Sequence, residues 1–143
     1  MKLSPHFTLE EMTFSEVAAR KRLDNTPTDD ILFNLNRLAF FLEEVRNLLG
    51  KPIIISSAYR SPVVNQAVGG KPTSQHCLGL AADIRVSGMT PDAVVKAVRD
   101  SHLAYDQVIR EFDQWTHISI PPKTREARKQ ALIIDDAGTR SYA

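Results

Sequence analysis

The sequence is poor in cysteine, in net charge and in long apolar runs. Its single cysteine, Cys77, excludes an intrachain disulfide and a metal site built from several cysteines. The 18 lysines and arginines nearly balance the 17 aspartates and glutamates, so we expect no nucleic-acid partner, because phosphate contacts need clustered positive charge. The longest apolar runs, such as residues 38–42, are far shorter than the ~20 residues that span a bilayer, so we expect no membrane insertion.

The length and the N-terminus give two further expectations. The 143 residues suffice for one domain with its own core, and no repeat or linker divides them. We therefore predict a single domain over residues 1–143, with an N-terminal helical segment at 1–27 and a C-terminal tail at 121–143. The first six residues lack the apolar core of a signal peptide, which predicts synthesis in the cytoplasm without one.

A regular apolar pattern predicts one long helix from Thr28 to Leu49. Apolar residues recur there at alternating steps of four and three, which places them on one face. Thr28 is a suitable N-cap and Gly50 a suitable stop. An earlier helical stretch is predicted over 9–22, interrupted just before Ser15, which can cap a second helix.

Beyond residue 50 the pattern changes to short β-branched runs separated by turn residues. The predicted elements are a buried strand at 52–57, a helix at 61–70, strands at 80–86, 107–111 and 115–120, a helix at 90–101, and a tail strand or hairpin at 131–138. A tight connection at 113–114 separates the strands on either side of it. Early helices and late strands predict an α+β fold, with a small, mostly antiparallel sheet packed against helices.

Two histidines and one aspartate form a candidate metal site. His76 and Asp83 are separated by six residues, and Gly79 between them permits a sharp turn that lets both side chains face one point. His117 lies on the predicted last core strand. Two imidazoles and one carboxylate are a donor set typical of catalytic zinc, whose fourth position stays open to water.

The alternative is that these are three unrelated polar residues, since a histidine and an aspartate at this spacing often occur by chance. Asp83 argues against it, because an aspartate inside the apolar run 80–86 is a costly buried charge unless it is paired or metal-bound. The spacing alone leaves both interpretations open.

Several sequence blocks resemble the zinc D,D-carboxypeptidases and the related D-Ala-D-Ala dipeptidases. Residues 74–83 match that family's zinc signature, Ser-x-His-x-x-Gly-x-Ala-x-Asp. His117, in Trp-Thr-His, matches the second histidine ligand. Residues 57–62 resemble the family's Ser-Gly-Tyr-Arg-Ser-Pro segment, with alanine in place of glycine. The segments 6–12 and 23–27 resemble the phage and prophage branch.

The resemblance implies a hedgehog/D,D-peptidase-like fold and the hydrolysis of amide bonds in peptidoglycan stem peptides or cross-links. It implies one zinc ion (Zn2+) per chain, with His76, Asp83 and His117 as its ligands. In better-known members an acidic residue, the general base, lies three positions before the second histidine ligand. That position is Gln114 here, and an amide cannot take up a proton at useful pH.

The remaining candidate site residues follow from the same resemblance. Arg60 would orient the substrate or stabilise the developing oxyanion, a role that suits its fixed donor fork. Ser74 and Tyr59 are candidate hydrogen-bond partners of the peptide, or turn caps. Trp115 would wall the site or fill the core.

The base has two candidates on the hairpin that ends at His117. We predict Glu111, because it reaches the site whether the chain turns at 113–114 or continues as a strand, and Asp113 is the alternative. If both were solvated turn carboxylates, catalysis would be lost.

Two other functions remain open. The first is a non-catalytic phage structural or assembly protein that retains the fold and the zinc site, which Gln114 favours. The second is a metal-independent module that binds stem peptides through Arg60 and the cleft. As a phage endolysin, the protein would reach the cell wall through a pore made by another protein, or as a component of the virion.

Three other features are interpreted as structural. Cys77 is predicted to be a small buried hydrophobe whose side chain points away from its neighbour His76 on an extended segment. His6 is interpreted as a surface histidine without an acidic partner at ligand spacing. The basic cluster at 123–129 is interpreted as a solvated face.

Overall fold

The computed structural model describes residues 1–142 of the chain. In chain order its elements are β1 (Lys2–Ser4), β2 (Phe7–Thr8), α1 (Leu9–Thr13), α2 (Glu16–Lys21), α3 (Asp29–Leu49), β3 (Ile53–Ser57), α4 (Pro62–Ala67), a 3-10 turn (Gln75–Leu78), β4 (Ala81–Val86), α5 (Pro91–Arg99), β5 (Gln107–Glu111), β6 (Trp115–Ser119), β7 (Gln130–Asp135) and β8 (Gly138–Ser141).

Six strands form the main sheet in the order β3-β4-β6-β5-β7-β8. Every neighbouring pair is antiparallel except β5 and β7, which run parallel. β1 and β2 form a separate antiparallel pair. The predicted α+β fold with a small, mostly antiparallel sheet is confirmed.

Helices α3 and α5 share one apolar core with the sheet. The buried residues of this core include Leu35, Leu38, Leu42, Val45, Val94, Val95, Val98, Ala82, Ile84, Val108 and Ile118. Successive strand residues point to opposite faces, so the intervening strand residues lie on the other face of the sheet. That second face carries the candidate site.

Local sequence signals account for the helix boundaries. Thr28, Ser15, Ser61 and Thr90 each accept a hydrogen bond from a backbone N–H in the first turn of the following helix. These caps satisfy donors that would otherwise lack a partner, and the long helix ends at Gly50 in the left-handed region, as predicted. None of the helices within residues 1–142 has the length and apolar character needed to span a bilayer.

Two predictions about local structure are wrong. Strand β3 is an edge strand rather than a buried one, and Ile54 on its outer face is 59% exposed. Cys77 lies in a 3-10 turn rather than in an extended segment, and it is half-buried. The tail prediction is confirmed as a hairpin of β7 and β8, which extends the sheet beyond β5.

Candidate metal centre

Two of the three predicted ligands face each other across neighbouring strands. Asp83 of β4 and His117 of β6 are directly opposed in the antiparallel register. The residues that flank them, such as Ala82 and Ile118, point into the core on the other face. The pleat therefore turns both side chains toward the same side of the sheet.

The third ligand comes from the 3-10 turn above that face. Ser74 caps the turn by accepting a hydrogen bond from the His76 N–H at 3.2 Å. The turn ends at Gly79, which has φ +71° and sits so close to α3 that an added Cβ would lie 3.1 Å from the Ile31 carbonyl oxygen. Only glycine suits this backbone conformation and this approach, and it holds the turn against the long helix.

The donor atoms of the three residues converge. Asp83 Oδ1 lies 3.3 Å from His76 Nε2 and 3.2 Å from His117 Nδ1. All three ligand atoms lie within 4.8 Å of one another. Donor atoms about 2.0–2.2 Å from a tetrahedral zinc ion are separated by roughly 3.4 Å, so the two distances to Asp83 Oδ1 fit zinc.

Hydrogen bonding fixes which nitrogen of His76 faces the centre. Its Nδ1 lies 2.6 Å from the Ala58 carbonyl oxygen, which can only accept, so Nδ1 carries the proton. The Nε2 lone pair of the neutral ring then points at Asp83 Oδ1, and two acceptors meet with no hydrogen between them. Either a proton or a metal ion must lie between these two acceptors, so the position suits a bound cation.

The charge of Asp83 is suited to metal binding. Burial by itself would raise the pKa of this carboxyl, but the adjacent imidazoles of His117 and His76 outweigh it and hold the pKa well below its usual range. Asp83 is thus an ionised carboxylate, the form that binds zinc.

The three ligands lie in an open cleft of about 870 Å³. Its walls include Arg60, Ser74, Glu111 and Trp115. Glu111 is paired with Trp115 across the β5–β6 hairpin, so it is the diagonal neighbour of His117 on the same face of the sheet. A diagonal neighbour is within reach of a long side chain, which places the Glu111 carboxylate beside the centre.

The two candidate bases have different surroundings. Burial, followed by the charge of Asp83, raises the pKa of Glu111, while His117 and Arg60 oppose the rise. Asp113 is not among the residues that line the cleft. It lies in the hairpin turn with φ +54°, its side chain is 72% exposed, and it forms an ion pair with Arg110 Nε at 3.0 Å.

The other predicted site residues divide between the cleft and the core. Arg60 lines the cleft, and its buried Nε has no hydrogen-bond partner within residues 1–142. Ser74 lines the cleft and caps the 3-10 turn. Trp115 packs near Phe112 at 6.1 Å between ring centroids. Tyr59 is buried in the apolar core and is not among the residues that line the cleft.

Two surface interpretations need correction. His6 is exposed but does have an acidic partner, since its Nδ1 lies 2.7 Å from Glu43 Oε1. Within the basic cluster, Arg125 and Arg128 form ion pairs with Asp106, whose side chain is fully buried. These arginines were missed because the pairing spans about twenty residues and has no local sequence signal.

Cys77 stays outside the metal centre. Burial raises the pKa of its thiol, although the charge of Arg60 opposes the rise, so the thiolate form is disfavoured. The cluster of possible metal ligands within residues 1–142 consists of His76, Asp83 and His117 and does not include this sulfur.

The fold and the three converging donors together define an α+β protein with a candidate three-ligand metal site in an open cleft. Comparison with protein families matches residues 5–119 to the family described as Peptidase M15. The match covers most of the chain, and the protein belongs to the peptidase M15 family. A search of curated proteins finds no match to the chain.

Proposed function

We propose that the protein is a zinc-dependent peptidase that hydrolyses amide bonds in peptidoglycan stem peptides or cross-links, as a D,D-carboxypeptidase or endopeptidase of the phage endolysin type. The observation that carries the proposal is the arrangement of His76, Asp83 and His117 in one cleft with the half-buried carboxylate of Glu111 and with Arg60, whose buried Nε has no partner. Each of these groups has a role in amide hydrolysis.

His76, Asp83 and His117 would hold the ion. The chemistry that zinc would supply there is Lewis-acid activation of the scissile carbonyl and of water. Three protein ligands would leave one coordination position of the ion for these groups, as in catalytic rather than structural zinc sites.

Glu111 is the proposed general base. Its carboxylate would accept a proton from the attacking water and pass it to the leaving amine. A pKa raised by burial brings the carboxyl closer to the operating pH, where a base that must also act as an acid is most effective. Glu111 is therefore proposed to take the role that Gln114 cannot fill.

Arg60 is the proposed anion-binding residue. Its buried Nε lacks a hydrogen-bond partner within residues 1–142, and a buried donor is costly unless an acceptor satisfies it. The carboxylates of stem peptides supply such a group, and a guanidinium binds a carboxylate through two parallel hydrogen bonds. Ser74 and Trp115, on the cleft wall, are proposed to contact the peptide, whereas the buried position of Tyr59 gives no support to such a contact.

The test compares two variants of the same hairpin, Glu111→Gln and Asp113→Asn, each of which removes one carboxylate charge. The Glu111→Gln protein should keep about one zinc per chain and lose at least ~10² in hydrolysis rate, whereas Asp113→Asn should stay near the wild-type rate. Metal analysis gives the zinc content, and mass spectrometry of digested peptidoglycan fragments gives the rate and the bond cut.

Two results would contradict this assignment. A fully active Glu111→Gln protein with an inactive Asp113→Asn protein would make Asp113 the base. If fragments of several peptidoglycan chemotypes all survive the zinc-loaded wild-type protein, the function becomes that of a non-catalytic phage structural or assembly protein with a metal site.

We also propose that the enzyme acts on the cell wall after passing through a pore made by another phage protein, or as part of the virion. The support is the similarity of segments 6–12 and 23–27 to the phage branch of the family. Protein added to intact cells should leave the wall undigested, and permeabilised cells should lose wall material. Equal digestion of both would argue against the pore route.

A further inference from the structure

Gln75 connects the metal centre to a second buried carboxylate. Its Oε1 lies 3.2 Å from His117 Nε2, and its Nε2 donates a hydrogen bond to Asp106 Oδ2 at 3.0 Å. Gln75 is the neighbour of the ligand His76 in the 3-10 turn, yet its side chain reaches the other histidine. One amide thus contacts the ligand on β6 and the residue that precedes β5.

The orientation of this amide follows from the charge of Asp106. Arg125 donates to it through Nη1 at 2.7 Å and Nη2 at 2.9 Å, and Arg128 donates through Nη2 at 2.7 Å. The Arg128 backbone N–H also donates, at 3.0 Å. Two guanidiniums keep Asp106 as a carboxylate, which accepts hydrogen bonds and donates none. The NH2 end of Gln75 must therefore face Asp106.

The oxygen end of Gln75 must then face His117. An amide oxygen only accepts, so His117 Nε2 carries the hydrogen of this contact. The Nδ1 lone pair is left to face Asp83 Oδ1 at 3.2 Å, the position of a metal ligand atom. Gln75 thereby favours the one tautomer of His117 that can bind an ion next to Asp83.

The arginines that orient Asp106 lie outside the part of the chain matched by the family. The match ends at residue 119, whereas Arg125 and Arg128 belong to the segment that joins β6 to β7. This segment is fastened beside Asp106, because the Gln130 N–H donates to the Asp106 carbonyl oxygen at 3.0 Å. Hydrogen bonds through Asp106 and Gln75 thus connect the C-terminal segment to the metal ligand His117.

We propose that Gln75 is a positioning residue that holds His117 in its Nε2–H tautomer, and that the C-terminal segment acts on the metal centre through Asp106 and Gln75. The inference deepens the proposed function, on which it rests for His117 as a metal ligand. Outer partners of metal-bound histidines typically change metal affinity by 10- to 100-fold, which sets the expected size of the effect.

The first test replaces Gln75 by methionine, which keeps the length of the side chain and removes both amide contacts. Gln66→Met is the matched control, since Gln66 is exposed on α4 and is not among the residues that line the metal cleft. In chelator competition, Gln75→Met should bind zinc about 10- to 100-fold more weakly than wild type, and Gln66→Met should match wild type. Equal zinc affinity of all three proteins would overturn the inference.

A spectroscopic readout separates positioning from general destabilisation. Cobalt-loaded wild-type protein should show two solvent-protected imidazole N–H resonances, from His76 Nδ1 and His117 Nε2. The His117 resonance should exchange rapidly with solvent in Gln75→Met, while that of His76 persists because Ala58 still holds it. A wild-type spectrum without the His117 resonance would overturn the inference without needing any variant to fold.

The third test asks whether the arginines act through Gln75. The double variant Arg125→Gln, Arg128→Gln should weaken zinc binding by about tenfold in the wild-type background and by little more in the Gln75→Met background, because residues of one network are not additive. Arg140→Gln is the control, since Arg140 pairs with Asp135 rather than Asp106. Full additivity would overturn the proposed route.

The outcomes distinguish this inference from the proposed function. A wild-type protein that binds neither zinc nor cobalt contradicts both. A wild-type protein that binds zinc and hydrolyses its substrate, together with a Gln75→Met protein of unchanged affinity and spectrum, contradicts the inference alone.

Discussion

The molecule contains two deeply placed carboxylates, Asp83 and Asp106, which have different kinds of basic partner. Asp83 faces the imidazoles of His76 and His117, and Asp106 faces the guanidiniums of Arg125 and Arg128. In both cases burial would raise the pKa of the carboxyl, and the basic partners outweigh it and lower the pKa.

The two kinds of partner differ in whether they have a lone pair available for a metal ion. A neutral imidazole offers a lone pair that it can share with a metal ion, so the group around Asp83 has capacity for a cation. A guanidinium has five donors and no acceptor, so the group around Asp106 is already satisfied. The partners of a buried carboxylate therefore decide whether it serves as a ligand or as a support.

The strongest test of this comparison removes the carboxylate that is proposed to bind the ion. Asp83→Ala should lower zinc affinity by more than ~100-fold, beyond the range expected for an outer partner of the site, because a ligand itself is lost. Zinc content after gel filtration should fall from about one ion per chain to none. Asp135→Ala, which removes a part-exposed aspartate that does not line the cleft, is the control, and an Asp83→Ala protein that retains its zinc would contradict the comparison.

The second test removes the supporting carboxylate. Asp106→Asn leaves two guanidiniums without their anion, and breaking a fully buried pair costs about 3–5 kcal/mol. The arginine side chains are 39% and 44% exposed, so hydration should reduce the loss in unfolding free energy to about 2 kcal/mol. Urea denaturation of metal-free protein measures it.

The matched control for that change is Asp135→Asn. Its ion pair with Arg140 is part-exposed on both sides, so the expected loss is below ~1 kcal/mol. Similar losses for the two variants would mean that Asp106 supports the fold no more than a surface pair does.

The smallest expected effect appears in the acid range. A depressed pKa in the folded state means that Asp106 contributes stability above its unfolded pKa of about 3.9, and that this stability is lost as the pH falls toward the folded value. The stability difference between metal-free wild type and Asp106→Asn should therefore be constant from pH 7 to about 5 and shrink as the pH falls below about 4. A difference that grows in acid would contradict the assigned sign.

Much of the fold could be predicted because its signals are local. The caps at Thr28 and Ser15 and the Ser61-Pro62 start each depend on a few neighbouring residues, and the structure confirms them. The convergence of His76, Asp83 and His117 was predicted from the sequence resemblance as well as from the cost of a buried aspartate, and the distances agree with it.

The errors concern features that depend on distant partners. Whether β3 lies at an edge is decided by how the other strands pair, which its own β-branched residues do not encode. Gln75 received no role because its contacts are with residues 31 and 42 positions away. Asp106 stands directly before β5, whose Val108 and Ile109 are apolar. This position next to a strand is the local sequence feature that could have indicated the burial of Asp106.

The directly opposed positions of Asp83 and His117 have a consequence for how the centre comes into being. Side chains alternate along a strand, so a slip of β4 by one residue along β6 would turn Asp83 to the apolar face of the sheet and separate it from His117. Correct pairing of the two strands is therefore required before Asp83 and His117 can act together as ligands. The apolar residues that fix the sheet register thus also fix the relative positions of two of the three ligands.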